Sequence, residues 1–461
     1  MKINVFNTGK RRCLTFLKCL TSFSLFCTTI IFCLFSTPIF SQNESQNLSK
    51  YWQYRDRLVN DFMVVGEGQG KSLPAGGRNP TANCQADWWM GEAGCEKPKG
   101  TGKMHWGDGT IHLGYYITVL ATELRLLLDA GQETERTKEE LYYAFRAFER
   151  LDKEAETRFG QAGKLDGFFI RDDVTNDILY DENGNPNFPN GKNETYNCVL
   201  SDGGCGEASI KNGDFVSQDQ VISLLLGMTC VAELIPNERW GKRQSFGDMA
   251  AANTHRMVSF MRNNKWHIKD PTGKKAPNRW GGDARPFSYS IAKTANRITK
   301  KKYRKSYQSS QSRGLGAVLH GTYDWLFGVQ THYNHPMIFT LMVTSDSWDR
   351  NKMGAYCKKS DQEVYALADA VLNDKKLSKR ISKESLEAIL NTAPRSGPCF
   401  QTPGCTAPDG WKSNNRWLHP THKKGNKYGV YQEWNGLDYM MLYNFYHLYY
   451  SSELPNFRAT S

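Results

Sequence analysis

Apolar positions along this chain recur mostly at spacings of three and four, as on helices packed against a core, while runs that alternate with a period of two are scarce. The pattern predicts eleven helices, over roughly 51–65, 110–130, 135–157, 215–235, 246–264, 285–300, 314–330, 336–348, 360–373, 380–392 and 432–451. Between them lie polar stretches rich in Gly, Pro and Asn, at 66–105, 160–213, 265–284 and 394–431. Loops of that length exceed plain connectors, and ordered long loops in a compact protein usually serve function. No low-complexity linker divides residues 42–461, which are expected to form a single all-α domain.

The helices are of two kinds. Five times a polar, Gly- or acid-containing cluster leads into a helix that is apolar around most of its circumference: WGDGTIHLGYYITVLATELRLL from Trp106, DFVSQDQVISLLLGMTCVAEL from Asp214, GGDARPFSYSIAKTANRI from Gly281, YNHPMIFTLMVTSDSW from Tyr333 and QEWNGLDYMMLYNFYHLYY from Gln432. All-round apolar helices belong inside. The intervening ones, such as TKEELYYAFRAFERLDKEAETRF from Thr137, are amphipathic and charged, as an outer layer would be. Alternation of inner and outer helices builds a closed ring of helical hairpins whose inner N-termini open on one face, where their polar lead-ins would converge. That arrangement resembles the (α/α) toroid of the six-hairpin glycosidases and the toroidal polysaccharide lyases. The resemblance covers most of residues 50–451 and implies a carbohydrate-active enzyme, although the fold also hosts epimerases and other activities.

Charge must be located before it is interpreted. The 461 residues carry a formal +12, with 39% hydrophobic and 23% charged residues, a globular composition that excludes disorder, collagen and coiled coil. Residues 1–41 hold Lys2, Lys10, Arg11, Arg12 and Lys18 and no acid, so 12 − 5 leaves +7 for the rest. The basic cluster, the apolar run from Leu20 to Phe40 and the polar residues after it have the order of a secretory signal cleaved near Ser41. The expected location is secreted or periplasmic; an uncleaved leader, long enough to span a bilayer, would instead hold the chain in the membrane. Outside the cell a cationic surface points to acidic polysaccharide or envelope lipid and not to nucleic acid. Two basic clusters stand out: Arg297, Lys300, Lys301, Lys302, Arg304 and Lys305, and Lys412, Arg416, Lys423, Lys424 and Lys427, the second interleaved with Trp411, Trp417 and Tyr428. Such runs are also ordinary solvated faces.

Cysteine placement agrees with export. Of eight cysteines beyond the leader, six form the close pairs Cys84/Cys95, Cys198/Cys205 and Cys399/Cys405 in Gly-, Asn- or Pro-rich loops, which reads as local disulfides. Cys230 falls in an apolar helix as a core residue, with Cys357 a conceivable partner.

Glycoside hydrolysis generally needs two carboxylates, one to protonate the leaving oxygen and one opposite it as base or nucleophile. Asp108, Asp219, Asp283 and Glu433 each stand at or near an inner-helix start, with Asp108 and Asp219 the first pair. The helix dipole there favours the ionised form, which suits a base or nucleophile; it also favours plain N-caps. Trp106, Gln220 and Trp434 accompany these acids as candidate substrate contacts. The loop GKLDGFFIRDDV adds Phe168, Arg171, Asp172 and Asp173, an aromatic and acidic set suited to a sugar, or to ordinary turn packing. The acids from Asp172 to Asp181 could hold calcium but lack EF-hand spacing, so no cofactor or metal is expected.

A second constellation suits uronate elimination. In THYNHPMIF, His332, Tyr333, Asn334 and His335 stand at an inner-helix start, and the Asn334–His335 pair looks like that of toroidal uronate lyases, without their doubled Asn. The resemblance implies that the amide and imidazole neutralise a uronate carboxylate, with Arg285 and Tyr289 supplying the cation and the proton carrier. The plain alternative is a helix entry with Pro336 in its first turn. The sequence therefore supports a glycoside hydrolase first, a uronate-directed lyase second, and a non-catalytic glycan-binding protein third.

Overall fold

The computed structural model describes residues 44–79, 103–106, 108–185, 187–188, 198–200, 216–275, 284–300, 302–309, 334–346, 350–359, 362–395, 397, 399–400 and 432–450. The chain divides into two compact units, Met1–Lys50 and Tyr51–Ser461. Of the first, only the helical stretch 44–50 is described, so the account below concerns the second.

Its described residues are mostly helical. After α1, which ends at residue 61, come α2 (Gly109–Asp129), α3 (Glu135–Glu154), α4 (Gln218–Leu234), α5 (Phe246–Asn263), α6 (Ser288–Ile298) and α7 (Arg304–Ser309). They are followed by α8 (Asn334–Ser345), α9 (Arg350–Lys359), α10 (Glu363–Leu372), α11 (Lys383–Thr392) and α12 (Leu437–Tyr450). The helices expected at 51–65, 110–130, 135–157, 215–235, 246–264, 285–300, 336–348, 360–373 and 380–392 are present with shifted ends; 314–330 lies outside the described residues. Helices α7 and α9 are additional, short and polar enough to show little apolar period.

Two helix starts differ from expectation. The stretch 285–300 opens as a 3₁₀ turn, Arg285–Phe287, before α6. The segment from Gln432 opens as a strand, Gln432–Trp434; Gly436, at φ +79°, then turns the chain into α12. That strand belongs to a small sheet absent from the expected all-helical layout. Its strands are β1 (Gly77–Asn79), β2 (Lys103–His105), β3 (Cys198–Leu200), β4 (Cys399–Phe400) and β5 (Gln432–Trp434), in the order β3-β2-β1-β5-β4. All pairs are antiparallel except β2 with β3. Two or three residues cannot display a period of two, which is why alternation did not reveal them.

The even-numbered helices pack in series. Helix α2 touches α4, α4 touches α6, α6 touches α8, α8 touches α10, α10 touches α12, and α12 returns to α2. The odd-numbered helices lie against them: α3 on α2, α5 on α4 and α6, α7 on α6, α9 on α10, α11 on α12. Helix α2 shows the inner character most plainly. By length and composition it could cross a bilayer, yet 89% of that apolar window is buried within the fold. By contrast α3 buries one stripe, including Leu141, Phe145, Phe148 and Leu151, and leaves its charged face outward.

Side-chain contacts give the helix directions. A Cβ on Gly114 of α2 would overlap the main chain of Ser223 in α4, and one on Gly227 would come within 2.7 Å of Gly114 O and 2.9 Å of Ile117 Cβ. Residue numbers rise together along both helices, so α2 and α4 are parallel, and the two glycines let their backbones approach. Helix α12 runs the same way, with Asn435 just before it bonded to His112 and Asn444 reaching Val119 O (3.2 Å) and Thr122 Oγ1 (3.0 Å). Between α8 and α10, Phe339 stacks on Tyr365 near their starts and Asn373 Nδ2 donates to Val343 O (2.9 Å) near their ends.

Arg297 ties that far end together. Its guanidinium pairs with Glu233 of α4 (2.5 Å) and donates to Asn373 Oδ1 (2.6 Å) and Leu372 O at the end of α10. The first basic cluster thus begins with a residue used in packing, whereas Lys302, Arg304 and Lys305 are exposed. The second cluster lies outside the described residues.

A buried polar network joins α1 to α2 and α3. Arg55 donates to Glu123 (2.7 and 3.3 Å) and Glu140 (2.8 Å); Tyr51 and Thr137 complete Glu123, while Tyr116 and Arg136 complete Glu140. Burial pushes the Glu140 carboxyl up, but the Arg55 charge and the Tyr116 hydrogen bond outweigh it and hold the pKa below its usual value.

Candidate functional site

With the even helices parallel, their N-terminal ends meet opposite the Arg297 tie. At that end α2, α10 and α12 enclose a small pocket lined by His112, Tyr115, Tyr365, Asn435, Leu437, Asp438 and Met441. It leaves room for about one water-sized group within the described residues.

Each polar group arrives there by helix geometry. His112 and Tyr115, three apart, share one face of α2. Asp438 and Met441 stand three apart in the first turns of α12. Tyr365 lies in the first turn of α10, its hydroxyl 3.1 Å from that of Tyr115. Burial, then the neighbouring Tyr115, pushes the Tyr365 phenol well above its ordinary pKa, so it is a neutral hydrogen-bonding group at physiological pH. Asp438 is 5% exposed and sits where the α12 dipole favours its ionised form. Before it, Asn435 accepts the Leu437 N–H (3.1 Å) and so caps the helix. His112 packs against Gly76, where any Cβ would overlap the ring.

Asp108 and Asp219 occupy the corresponding starts of the parallel neighbours α2 and α4, but neither lines this pocket. Asp108 is 4% exposed and faces Arg171 Nη1 at 3.9 Å. Asp219 is half-buried, bonded to the Ser217 hydroxyl and to the Gln220 N–H (3.1 Å). Glu433 lies in β5 opposite Arg78 and Cys399, and Trp434, beside it, is buried. Asp283, His332 and Tyr333 lie outside the described residues. Asn334 and His335 begin α8, at the same end of the fold; their side chains are not among those described. Arg285 is exposed in the 3₁₀ turn, and Tyr289 is half-buried in α6 with Lys293 6.0 Å over its ring.

The aromatic and acidic loop is packed into the fold, as in the turn-packing alternative. Phe168 packs on the half-buried Phe159 and Phe260, and Phe169 on the buried Phe148. Gly167, at φ +92°, abuts the Arg256 main chain and donates to Asp152 (2.8 Å), while Phe169 O accepts from Val216 and fixes the approach to α4. Asp173 pairs with Arg150 (2.5 Å) and accepts from Gly70 N; Asp172 caps Val174 N. Asp181 is likewise occupied by Asn183 and Asn185, so these acids serve turns. Trp106 is fully buried and donates to Leu73 O (2.8 Å), and Gln220 is fully buried in α4. Neither Trp106 nor Gln220 offers an exposed face to a ligand.

Cys230 and Cys357 are both free and buried, so the conceivable bridge between them is not formed. Of the predicted pairs, Cys84, Cys95, Cys205 and Cys405 lie outside the described residues. Among the described residues no group of three His, Cys, Asp or Glu side chains could hold a metal ion.

The pocket's own residues carried weak signals. His112 interrupts an apolar helix one turn after Asp108, and Asn435-Gly436 marks a helix entry three residues before Asp438. A tyrosine such as Tyr365 in an apolar run reads only as core.

No protein-family model matches the chain, and no curated protein or solved structure matches it.

Proposed function

We propose that the chain is an exported glycan-cleaving enzyme built as an (α/α) toroid, with its reaction centre at the pocket between the starts of α2, α10 and α12. The series of packed, parallel even helices wrapped by odd ones supports the toroid. What carries the functional reading is the convergence of an imidazole, two phenols and a buried carboxylate at the common N-terminal end. Hydrolysis of a glycosidic bond is the leading chemistry. Asp438 serves as its base or nucleophile, because the α12 dipole stabilises the ionised form. Hydrolysis also requires a second carboxylate, for which Asp108 and Asp219 at the starts of the adjoining helices are the candidates, although neither lines the pocket. Asp438 also weighs against uronate elimination, since a carboxylate in the pocket repels the very group that elimination must neutralise.

Elimination remains the second reading, supported by the presence of His112, Tyr115 and Tyr365 and by Asn334 and His335 at the same end. Incubation with a panel of neutral and acidic polysaccharides separates the readings. New reducing ends without ultraviolet absorbance indicate hydrolysis, and absorbance from an unsaturated uronate indicates elimination. Binding without either product overturns the enzymatic proposal in favour of a glycan-binding protein.

A further inference from the structure

Asn435 has one consistent amide orientation. Its Oδ1 accepts the Leu437 N–H at 3.1 Å, which leaves Nδ2 facing Ala75 O at 2.9 Å and His112 Nδ1 at 3.2 Å. The reverse orientation would set the amide NH₂ against an N–H donor and the amide oxygen against a carbonyl, losing the cap and the Ala75 bond together. Nδ2 has two N–H groups, and both are used, one on Ala75 and one on His112. A ring nitrogen that accepts a hydrogen bond carries no proton. Asn435 is 1% exposed and His112 3% exposed, so water does not replace these partners freely.

We infer that Asn435 is a positioning residue that holds His112 as the neutral imidazole with its proton on Nε2. In that form Nε2 carries the proton and the lone pair of Nδ1 is engaged by Asn435, so His112 is not poised to take a proton. It shapes the pocket wall, and proton handling falls to the carboxylate. The consequence for catalysis rests on the proposed reaction centre; the protonation state of the ring does not.

The experiment is a long-range ¹⁵N–¹H correlation spectrum of the histidine side chains in the ¹⁵N-labelled full chain at neutral pH, with the His112 signals identified by their loss in His112→Gln. The expected pattern has a protonated Nε2 and a bare Nδ1. A protonated Nδ1, whether in the other tautomer or in the imidazolium, overturns the inference. Asn435→Asp supplies the second arm: a carboxylate still caps Leu437 but can only accept, so it draws a proton onto His112 Nδ1. An unchanged tautomer in that variant assigns the ring's state to some other group and overturns the role of Asn435. Should no glycan be cleaved while the wild-type ring shows the Nε2–H form, the proposed function fails and this inference stands; cleavage by a protein whose ring is protonated on Nδ1 gives the converse.

Discussion

Replacing Arg55 by methionine tests how α1 is anchored to the inner helices. The stem is nearly conserved in shape, so the change isolates the charge. Arg55, Glu123 and Glu140 have side-chain exposures of 1%, 0% and 5%, so solvent cannot compensate. Glu140 keeps Arg136 at 3.1 Å, whereas Glu123 retains only the hydroxyls of Tyr51 and Thr137. Removing one partner of a buried ion pair costs about 3–5 kcal/mol, most of it for the charge left behind. Arg55→Met is therefore expected to lose about that amount in urea unfolding at neutral pH, at an unchanged slope. Adding Glu123→Gln removes the orphaned charge while keeping an acceptor for one of the two hydroxyls and a donor for the other, and should restore about 1–3 kcal/mol. A loss under about 1 kcal/mol for the single variant, or a double variant no more stable than the single, would refute the argument.

Three further outcomes follow from the same structure. Gly114→Ala should destabilise by about 1–3 kcal/mol despite the better helix propensity of alanine, because the methyl meets the Ser223 backbone; a stabilised variant in thermal melts would remove the close α2–α4 approach. Burial, with Lys383 adding to it, lowers the His447 pKa from 6.5 to about 4, so the folded state binds fewer protons than the unfolded one in that window. Stability is then full above pH 6.5 and falls as pH drops toward 4, by up to about 3 kcal/mol, and His447→Gln should flatten that fall in urea titrations. Cys230 and Cys357 are buried, with their thiol pKa values raised by that burial, so neither should react with a thiol reagent until the protein unfolds; labelling of either in the native state would contradict their placement.

The sequence made the helical layers legible because α2, α3 and α4 are long enough for periodicity to separate all-round apolar from one-sided helices. The expectation that polar lead-ins stand together points to the same end of the helices as the proposed centre, but to different residues. Asp108 and Asp219 were conspicuous as acids beside a helix start, whereas Asp438 is the second residue of α12 and looks like any first-turn acid. Phe168 and Phe169 were ambiguous for a physical reason: aromatic rings flanked by Asp and Gly compose a binding loop and a packed turn equally well, and their burial is visible only in the fold. Arg297 belongs to a basic run in sequence, yet its role follows from the carbonyls and carboxylate at the ends of α4 and α10, which are remote along the chain. The strands of the small sheet pair residues as far apart as Gly77 and Trp434, a register that no local pattern encodes.

The most direct test of the proposed reaction centre is the turnover of Asp438→Asn on a polysaccharide that the wild type cleaves, with an unchanged helical signal as the control for folding. Loss of the ionised carboxylate should lower the rate by about 10²- to 10⁴-fold. A rate within a few-fold of wild type would contradict the placement of the chemistry between α2, α10 and α12.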